Sequence, residues 1–221
     1  MYKLYGHPQS EYTQKVAMFL EALGHCYQFV GVDLDSGAHL EKPWSDKLWT
    51  GMVPVLDGLP GGIELAESQS ISRYLWHAAV EHPLYVSDLM TRACADAVVD
   101  FMQYQLLLPL NELAWFGFWL PKRVVNATEE QRQDWRRSCE RAKRKCTAYM
   151  QKAESTIVHS PFFSRDKMTY VSLSIYAGLQ LYRCVADQLP ASPVFEAFLV
   201  HSELSLCYQT VMSHMEEATQ S

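Results

Sequence analysis

Hydrophobic and polar positions divide the chain into two parts with different periodicities. In the first 80 residues, short apolar runs of strand type alternate with segments of helical spacing. The predicted strands lie at 3–5, 27–32, 53–56 and 63–65, and the predicted helices lie at 10–23 and 67–80, with an irregular helical turn at 41–46.

After the segment EHPLYV, which starts at Glu81, only helical spacing remains. It predicts helices at 88–119, 128–158, 169–187 and 192–200, with more helix toward the C-terminus. Thr128 and Gln131 form a capping-box pattern at the start of the longest of these. The pattern as a whole predicts an α/β domain at 1–81, a linker at 82–88 and an all-helical domain at 89–221.

Composition limits the class of protein. With 221 residues and 48% hydrophobic content, the chain can bury one large core or two smaller ones. The start MYKLYGHPQS lacks a basic and apolar leader, and no apolar run reaches the ~20 residues that span a bilayer. The six cysteines show no metal-ligand spacing. These features predict a cytoplasmic protein with reduced thiols, no membrane partner and no metal.

Charge is distributed unevenly along the chain. The formal net charge is −6, yet residues 122–152 hold ten of the nineteen basic residues and only four of the 25 acidic ones. We interpret this segment as the solvated face of the helix at 128–158. A patch that binds an acidic partner is the alternative, and no nucleic-acid motif supports binding to nucleic acid.

Two dipeptides suggest a site for a small zwitterionic peptide. A Val-Pro bond adopts the cis form at low cost, and a cis Val53-Pro54 turn would direct the Val53 N–H and C=O toward an extended ligand. Glu67 and Ser68 open a predicted helix, where unpaired N–H groups attract a carboxylate. Ser68 can donate to that carboxylate, and Glu67 can hold a neighbouring ammonium.

Ser10 begins the first predicted helix. It suits an N-cap, and its hydroxyl could also donate a hydrogen bond to a thiolate at the helix N-terminus. Lowering a thiol pKa by ~2 units requires about 2.7 kcal/mol, which one charge-assisted hydrogen bond and a helix dipole can supply. Tyr5, Tyr12 and Thr13 are rival donors.

The string GHPQSEYTQKV, followed by the Val-Pro and Glu-Ser pairs, resembles the serine-type glutathione S-transferases of the theta and phi classes. The resemblance implies a thioredoxin-like N-terminal domain, an all-α helical C-terminal domain and a homodimer. It also implies glutathione as co-substrate, with no further cofactor.

The resemblance assigns a role to individual residues. Ser10 is the catalytic thiolate donor. The glutathione-binding residues are His39 toward the glycine carboxylate, Val53 and Pro54 along the cysteinyl backbone, Glu67 and Ser68 at the γ-glutamyl end, and Asp96 from across the dimer. The pocket for a hydrophobic electrophile is assigned to Tyr104, Leu108, Trp115, Phe116 and Trp119. Two positions depart from the family, since Leu40 and Met52 stand where polar residues are usual, and we expect weaker contacts to the glycyl end.

Three functions remain open at this point. The first is a detoxifying transferase that adds glutathione to electrophiles or reduces organic peroxides. The second is a non-catalytic scaffold of the same fold, as in translation elongation factor subunits, and the third is a glutathione-dependent isomerase or biosynthetic transferase. The presence of Ser10 together with Glu67 and Ser68 favours catalysis, because a scaffold has no use for a thiol-activating donor.

Overall fold

A computed structural model describes residues 1–34, 36–164 and 166–220, with the side chains of Ala38 and Gln220 left out. The chain divides into two compact units. The first comprises Met1–Ser87 together with Ser202–Ser221, and the second comprises Asp88–His201. The break after Ser87 coincides with the predicted linker at 82–88.

The first unit contains a four-stranded mixed sheet. Its strands are β1 Tyr2–Gly6, β2 Tyr27–Gly31, β3 Val55–Asp57 and β4 Leu65–Ala66, in the spatial order β2-β1-β3-β4. β1 and β2 are parallel, whereas β3 is antiparallel to both β1 and β4. This is the predicted α/β, thioredoxin-like arrangement.

Helices α1 Glu11–Ala22, α2 Trp44–Lys47 and α3 Ser68–Ala78 complete the N-terminal part of this unit, with short 3₁₀ turns at Ala38–Leu40 and Pro60–Gly62. α1 is buried from Thr13 to Leu20 and packs against α3. Its apolar stripe matches the predicted helix at 10–23.

The last helix, α11 Ser202–Gln220, also belongs to the first unit. It packs against α1 and β2, and its Leu204, Val211 and Met215 are fully buried. The sequence-based division placed 202–221 with the helical domain because periodicity identifies an apolar stripe without identifying the surface that covers it.

The second unit is helical. Its helices are α4 Leu89–Met102, α5 Leu108–Ala114, α6 Leu120–Arg123, α7 Glu129–His159, α8 Tyr170–Leu179, α9 Leu181–Cys184 and α10 Pro193–Leu199. Two π-helical turns, Gln103–Leu107 and Trp115–Trp119, interrupt the predicted helix at 88–119. The predicted helix at 169–187 is likewise divided, into α8, α9 and a 3₁₀ turn at Ala186–Gln188.

Two helices of this unit begin with reciprocal caps. The predicted box at α7 is present, since Gln131 N donates to Thr128 Oγ1 at 3.2 Å and Thr128 N donates to Gln131 Oε1 at 2.8 Å. At α8, Thr169 and Ser172 form the same arrangement. No helix among the described residues combines the length and apolarity needed to cross a membrane.

Candidate glutathione site

The turn before α1 is held by close packing at the end of β1. A Cβ added at Gly6 would lie 2.2 Å from Thr13 Cγ2, so only glycine allows this approach of strand and helix. Thr13 is fully buried, and its Oγ1 accepts a hydrogen bond from His7 N at 3.4 Å. The glycine of the GHPQS string therefore fixes the position from which α1 starts.

Gln14 holds the same turn from the other side. Its Nε2 donates to Pro8 O at 2.7 Å, and its Oε1 accepts from Tyr208 Oη of α11 at 3.2 Å. Ser10 N also donates to His7 O at 2.9 Å. The backbone around Ser10 is thus fixed by three elements of the first unit.

Ser10 is the N-cap of α1, with φ −82° and ψ 115°, and its Oγ accepts from Thr13 N at 3.3 Å. The capping bond uses one lone pair of the hydroxyl and leaves its proton available. Within the described part of the chain no acceptor takes that proton. Capping and donation to a ligand are therefore compatible roles for the same hydroxyl.

The rival donors are placed differently. Buried Thr13 is already committed to the turn. The Tyr5 ring packs edge-on against Trp44 of α2, with Lys47 Nζ 4.7 Å from its centroid. The Tyr12 ring lies 5.7 Å from Lys15 Nζ. Of the four hydroxyls considered, that of Ser10 is the one at the N-cap of α1.

The Val53–Pro54 peptide bond is cis, as predicted. Pro54 is buried, while Val53 is half-buried against a cluster formed by Val32, Leu48, Val55 and Ala66. Outside the strand ladders, the Val53 N–H and C=O make no backbone hydrogen bond with a described residue. They are available to pair with the backbone of an extended ligand.

The segment before β3 is anchored by an ion-pair cluster. Lys47 Nζ lies 2.9 Å from Asp57 Oδ2 and also pairs with Glu64. Burial opposes the charge on Lys47, but the hydrogen bonds to Glu64 and Asp57 outweigh it and raise the pKa of this lysine. The bond between α2 and the β3–β4 hairpin fixes the loop that presents Val53.

Glu67 and Ser68 lie at the start of α3, as predicted. Ser68 is the first residue of the helix and is 8% exposed, while Glu67 is the exposed N-cap with φ 69° and ψ 107°. Glu67 is the one non-glycine residue with positive φ among the described residues. Such conformations cost of order 1–3 kcal/mol and concentrate at functional sites.

His39 lies on the 3₁₀ turn Ala38–Leu40. Its Nδ1 is buried and has no hydrogen-bond partner in residues 1–34, 36–164 and 166–220. Leu40 and Met52, the two departures from the family pattern, are 64% and 59% exposed. The roles of His39 and its neighbours toward a glycine carboxylate stay a prediction.

Sequence analysis missed Lys15. This lysine is 1% exposed, and its Nζ lies 3.4 Å from Ser68 Oγ and 3.4 Å from Gln69 Oε1. The signal was its spacing, because Lys15 precedes Met18 and Phe19 by three and four residues and so shares their buried face. Through Lys15, the second turn of α1, whose N-cap is Ser10, is in contact with the first turn of α3, which begins at Ser68.

Asp96 lies in the helical unit, where its Oδ1 accepts from Tyr170 Oη at 2.6 Å. This bond orients the carboxylate within its own unit. The role predicted for Asp96 toward a glutathione amine stays a prediction.

The predicted electrophile residues lie between α4 and α6. Tyr104, Leu108 and Trp115 are 63%, 50% and 37% exposed, and Phe116 and Trp119 are half-buried. These residues therefore do not form a single buried stripe. A cavity of about 690 Å³ in the helical unit is lined by other residues, which include Ile157, Phe163, Val194, Phe198 and His201. Within the described residues, no cluster of His, Cys, Asp and Glu could hold a metal ion.

Comparison with known proteins agrees with this geometry. Residues 4–83 match the model of the glutathione S-transferase N-terminal domain. The N-terminal part of the chain is therefore a glutathione S-transferase N-terminal domain. Glutathione S-transferase F7 of Arabidopsis thaliana is 32% identical over 75 residues, which are 34% of this chain and 35% of that protein. The match thus spans about a third of the length of the curated relatives.

Solved structures extend the likeness beyond the N-terminal domain to more than nine-tenths of the chain. A possible glutathione S-transferase from Rhodopseudomonas palustris is 28% identical with a TM-score of 0.70, covering 92% of this chain and 86% of that one. Ure2p in complex with S-hexylglutathione is 17% identical with a TM-score of 0.74, covering 96% and 97%. At that identity, the likeness to Ure2p shows the fold alone.

Proposed function

We propose that this protein is a serine-type glutathione transferase in which the Ser10 hydroxyl stabilises the glutathione thiolate. The observation that carries the proposal is the contact of α1 with the first turn of α3. Lys15, in the second turn of α1, bonds to Ser68 of α3, and Ser10 caps the same helix α1. The match of residues 4–83 to a glutathione S-transferase N-terminal domain supports the choice of ligand.

The ligand fits this set of groups by its chemistry. Ser68 and the N-terminal end of α3 suit the γ-glutamyl carboxylate, and exposed Glu67 suits the neighbouring ammonium. The Val53 N–H and C=O suit the backbone of the cysteinyl residue. The thiol then lies toward Ser10, where the hydrogen bond and the dipole of α1 favour its ionised form.

The reaction follows from the thiolate. Glutathione loses its thiol proton to solvent, and its sulfur forms a bond to an electrophilic carbon while the leaving group departs with the bonding electrons. With an organic hydroperoxide, the sulfur instead accepts the terminal OH and the alcohol is released. A second glutathione then converts the resulting sulfenic acid to a disulfide and water.

Binding and turnover can be tested in sequence. We expect the protein to be retained on immobilised glutathione, to be released by free glutathione, and to conjugate 1-chloro-2,4-dinitrobenzene or reduce cumene hydroperoxide. Retention without turnover on a panel of electrophiles and peroxides would favour the non-catalytic scaffold. Failure to bind glutathione at all would overturn the proposal.

We also propose that the protein forms a homodimer. Leu89 and Met90, two adjacent large apolar residues at the start of α4, are 72% and 71% exposed. Exposed apolar surface of this kind is typical of an association surface. Sedimentation at micromolar concentration should report about twice 25.3 kDa. A monomer would remove any role of Asp96 across the interface.

A further inference from the structure

Lys15 occupies an unusual place for a lysine. Its side chain is 1% exposed, although lysine is almost never fully buried without a partner. The ammonium is directed at the first turn of α3, where its Nζ lies 3.4 Å from Ser68 Oγ and from Gln69 Oε1. At this burial the ammonium cannot itself contact a ligand, whereas Ser68, to which it bonds, is 8% exposed.

The direction of the hydrogen bond between the two residues follows from their chemistry. A protonated lysine has three donors and no acceptor, so Ser68 Oγ accepts from Lys15 Nζ. The Ser68 proton must then point elsewhere, and no acceptor for it exists among the described residues. The serine is therefore held as a donor toward the surface.

We propose that Lys15 is a positioning residue that holds the Ser68 hydroxyl as a hydrogen-bond donor to the γ-glutamyl carboxylate of glutathione. The inference rests on the proposed function, since it assumes glutathione as the ligand. Ser10 performs the thiol chemistry, so Lys15 acts on binding and not on the chemical step.

The charges around Lys15 make this role dependent on pH. Burial lowers the pKa of the Lys15 ammonium to about 8, with Arg73 acting in the same direction and Glu11 and Glu67 opposing it. Once neutral, the amine has a lone pair and can accept a hydrogen bond from the Ser68 hydroxyl. This reverses the direction of the hydrogen bond between the two residues, and the Ser68 hydroxyl no longer donates to the ligand. Tyr12 and Gln69 also face the ammonium.

The test uses S-methylglutathione, which has no thiol and so separates binding from thiolate formation. Lys15→Met keeps the length of the side chain and removes both donor and charge, whereas Lys15→Arg keeps both. Lys152→Met, on the exposed face of α7, is the control for loss of one charge. At pH 7 we expect Lys15→Met to weaken binding about tenfold, which corresponds to 1.4 kcal/mol, while the other two variants stay close to wild type.

Three readouts separate positioning from a general structural effect. With glutathione and 1-chloro-2,4-dinitrobenzene, Lys15→Met should raise KM for glutathione and leave kcat unchanged. Wild type should bind S-methylglutathione more tightly than the analogue whose γ-glutamyl carboxylate is replaced by a primary amide. Lys15→Met should lose most of this preference. Between pH 7 and pH 10, affinity should fall more steeply for wild type than for Lys15→Arg, because arginine stays charged.

A double-mutant cycle tests the pathway through Ser68. If Lys15 acts through that hydroxyl, adding Lys15→Met to Ser68→Ala should have no further effect on affinity. If the losses of affinity caused by Lys15→Met and Ser68→Ala add up in the double variant, the proposal is overturned. It is also overturned if Lys15→Met binds S-methylglutathione as tightly as wild type and keeps the wild-type preference for the carboxylate over the amide. A wild-type protein that binds no glutathione refutes the proposed function instead. If Lys15→Arg does not fold, the double-mutant cycle of Lys15→Met and Ser68→Ala tests the proposal without it.

Discussion

Replacing Ser10 with alanine separates the two roles of its hydroxyl. The structure shows Ser10 Oγ capping α1 through Thr13 N at 3.3 Å, and the proposed function adds a bond from the same hydroxyl to the thiolate. Loss of an N-cap costs ~1 kcal/mol of folding free energy. Loss of a charge-assisted donor costs about 1.5–3 kcal/mol of preferential thiolate stabilisation, which is about one to two pKa units, while the dipole of α1 remains.

These magnitudes give distinct expectations for stability and activity. Ser10→Ala should lower the free energy of unfolding by ~1 kcal/mol and lower kcat/KM about 10²-fold near neutral pH. Since the lost rate reflects the ionised fraction of the thiol, the deficit should shrink once pH exceeds ~8.5, where free thiols ionise. Affinity for S-methylglutathione should change little, because that ligand has no thiol.

The assay is a pH–rate profile with 1-chloro-2,4-dinitrobenzene, together with titration of the bound thiolate by its ultraviolet absorbance. Ser192→Ala is the matched control, because Ser192 caps α10 by accepting from Phe195 N at 3.1 Å. That variant should lose a similar amount of stability and keep full activity. The reasoning is refuted if Ser10→Ala retains wild-type kcat/KM, and a loss confined to Tyr5→Phe would reassign the donor.

The remaining predictions concern stability. Between pH 8 and pH 9, the buried Lys15 should add about 1 kcal/mol to the free energy of unfolding, because the folded chain releases a proton from Lys15, whose pKa is lowered to about 8, while the unfolded chain keeps it. Cys146 and Cys207 act in the opposite direction in this range and above it, because burial raises their pKa values to about 12 and unfolding releases their protons. Urea denaturation of wild type and Lys15→Met isolates the lysine, since the thiols contribute equally to both proteins; a stability difference between the two that does not change with pH would contradict the burial of Lys15. Gly6→Ala should destabilise the protein by ~1–3 kcal/mol, since the added Cβ would lie 2.2 Å from Thr13 Cγ2; Thr13→Ala should restore part of the loss, and an unchanged urea midpoint for Gly6→Ala would refute the close packing.

Much of the fold and part of the site could be predicted because they depend on local interactions. The period of apolar residues identifies the strands and the main helices, and capping chemistry identifies Ser10 and Thr128 as helix starts. The cis bond at Val53–Pro54 and the opening of α3 at Ser68 were predictable for the same reason. Each of these features involves residues that are close together in the chain.

Other features depend on packing between distant segments, so the sequence alone left them open. Periodicity showed that α11 has an apolar stripe, but only the tertiary structure placed that stripe against α1 and β2. The π-helical turns within 103–119 likewise could not be predicted from spacing.

Lys15 shows the same limit within the site. A lysine in a predicted helix is ordinarily solvated, and its burial follows from the approach of α3, whose first turn begins 53 residues later at Ser68. The sequence by itself determined which residues carry hydroxyl, carboxylate and ammonium groups and which of them begin helices. The tertiary structure decided which of those groups meet, because the free energy of a buried charge depends on the partners that folding brings to it.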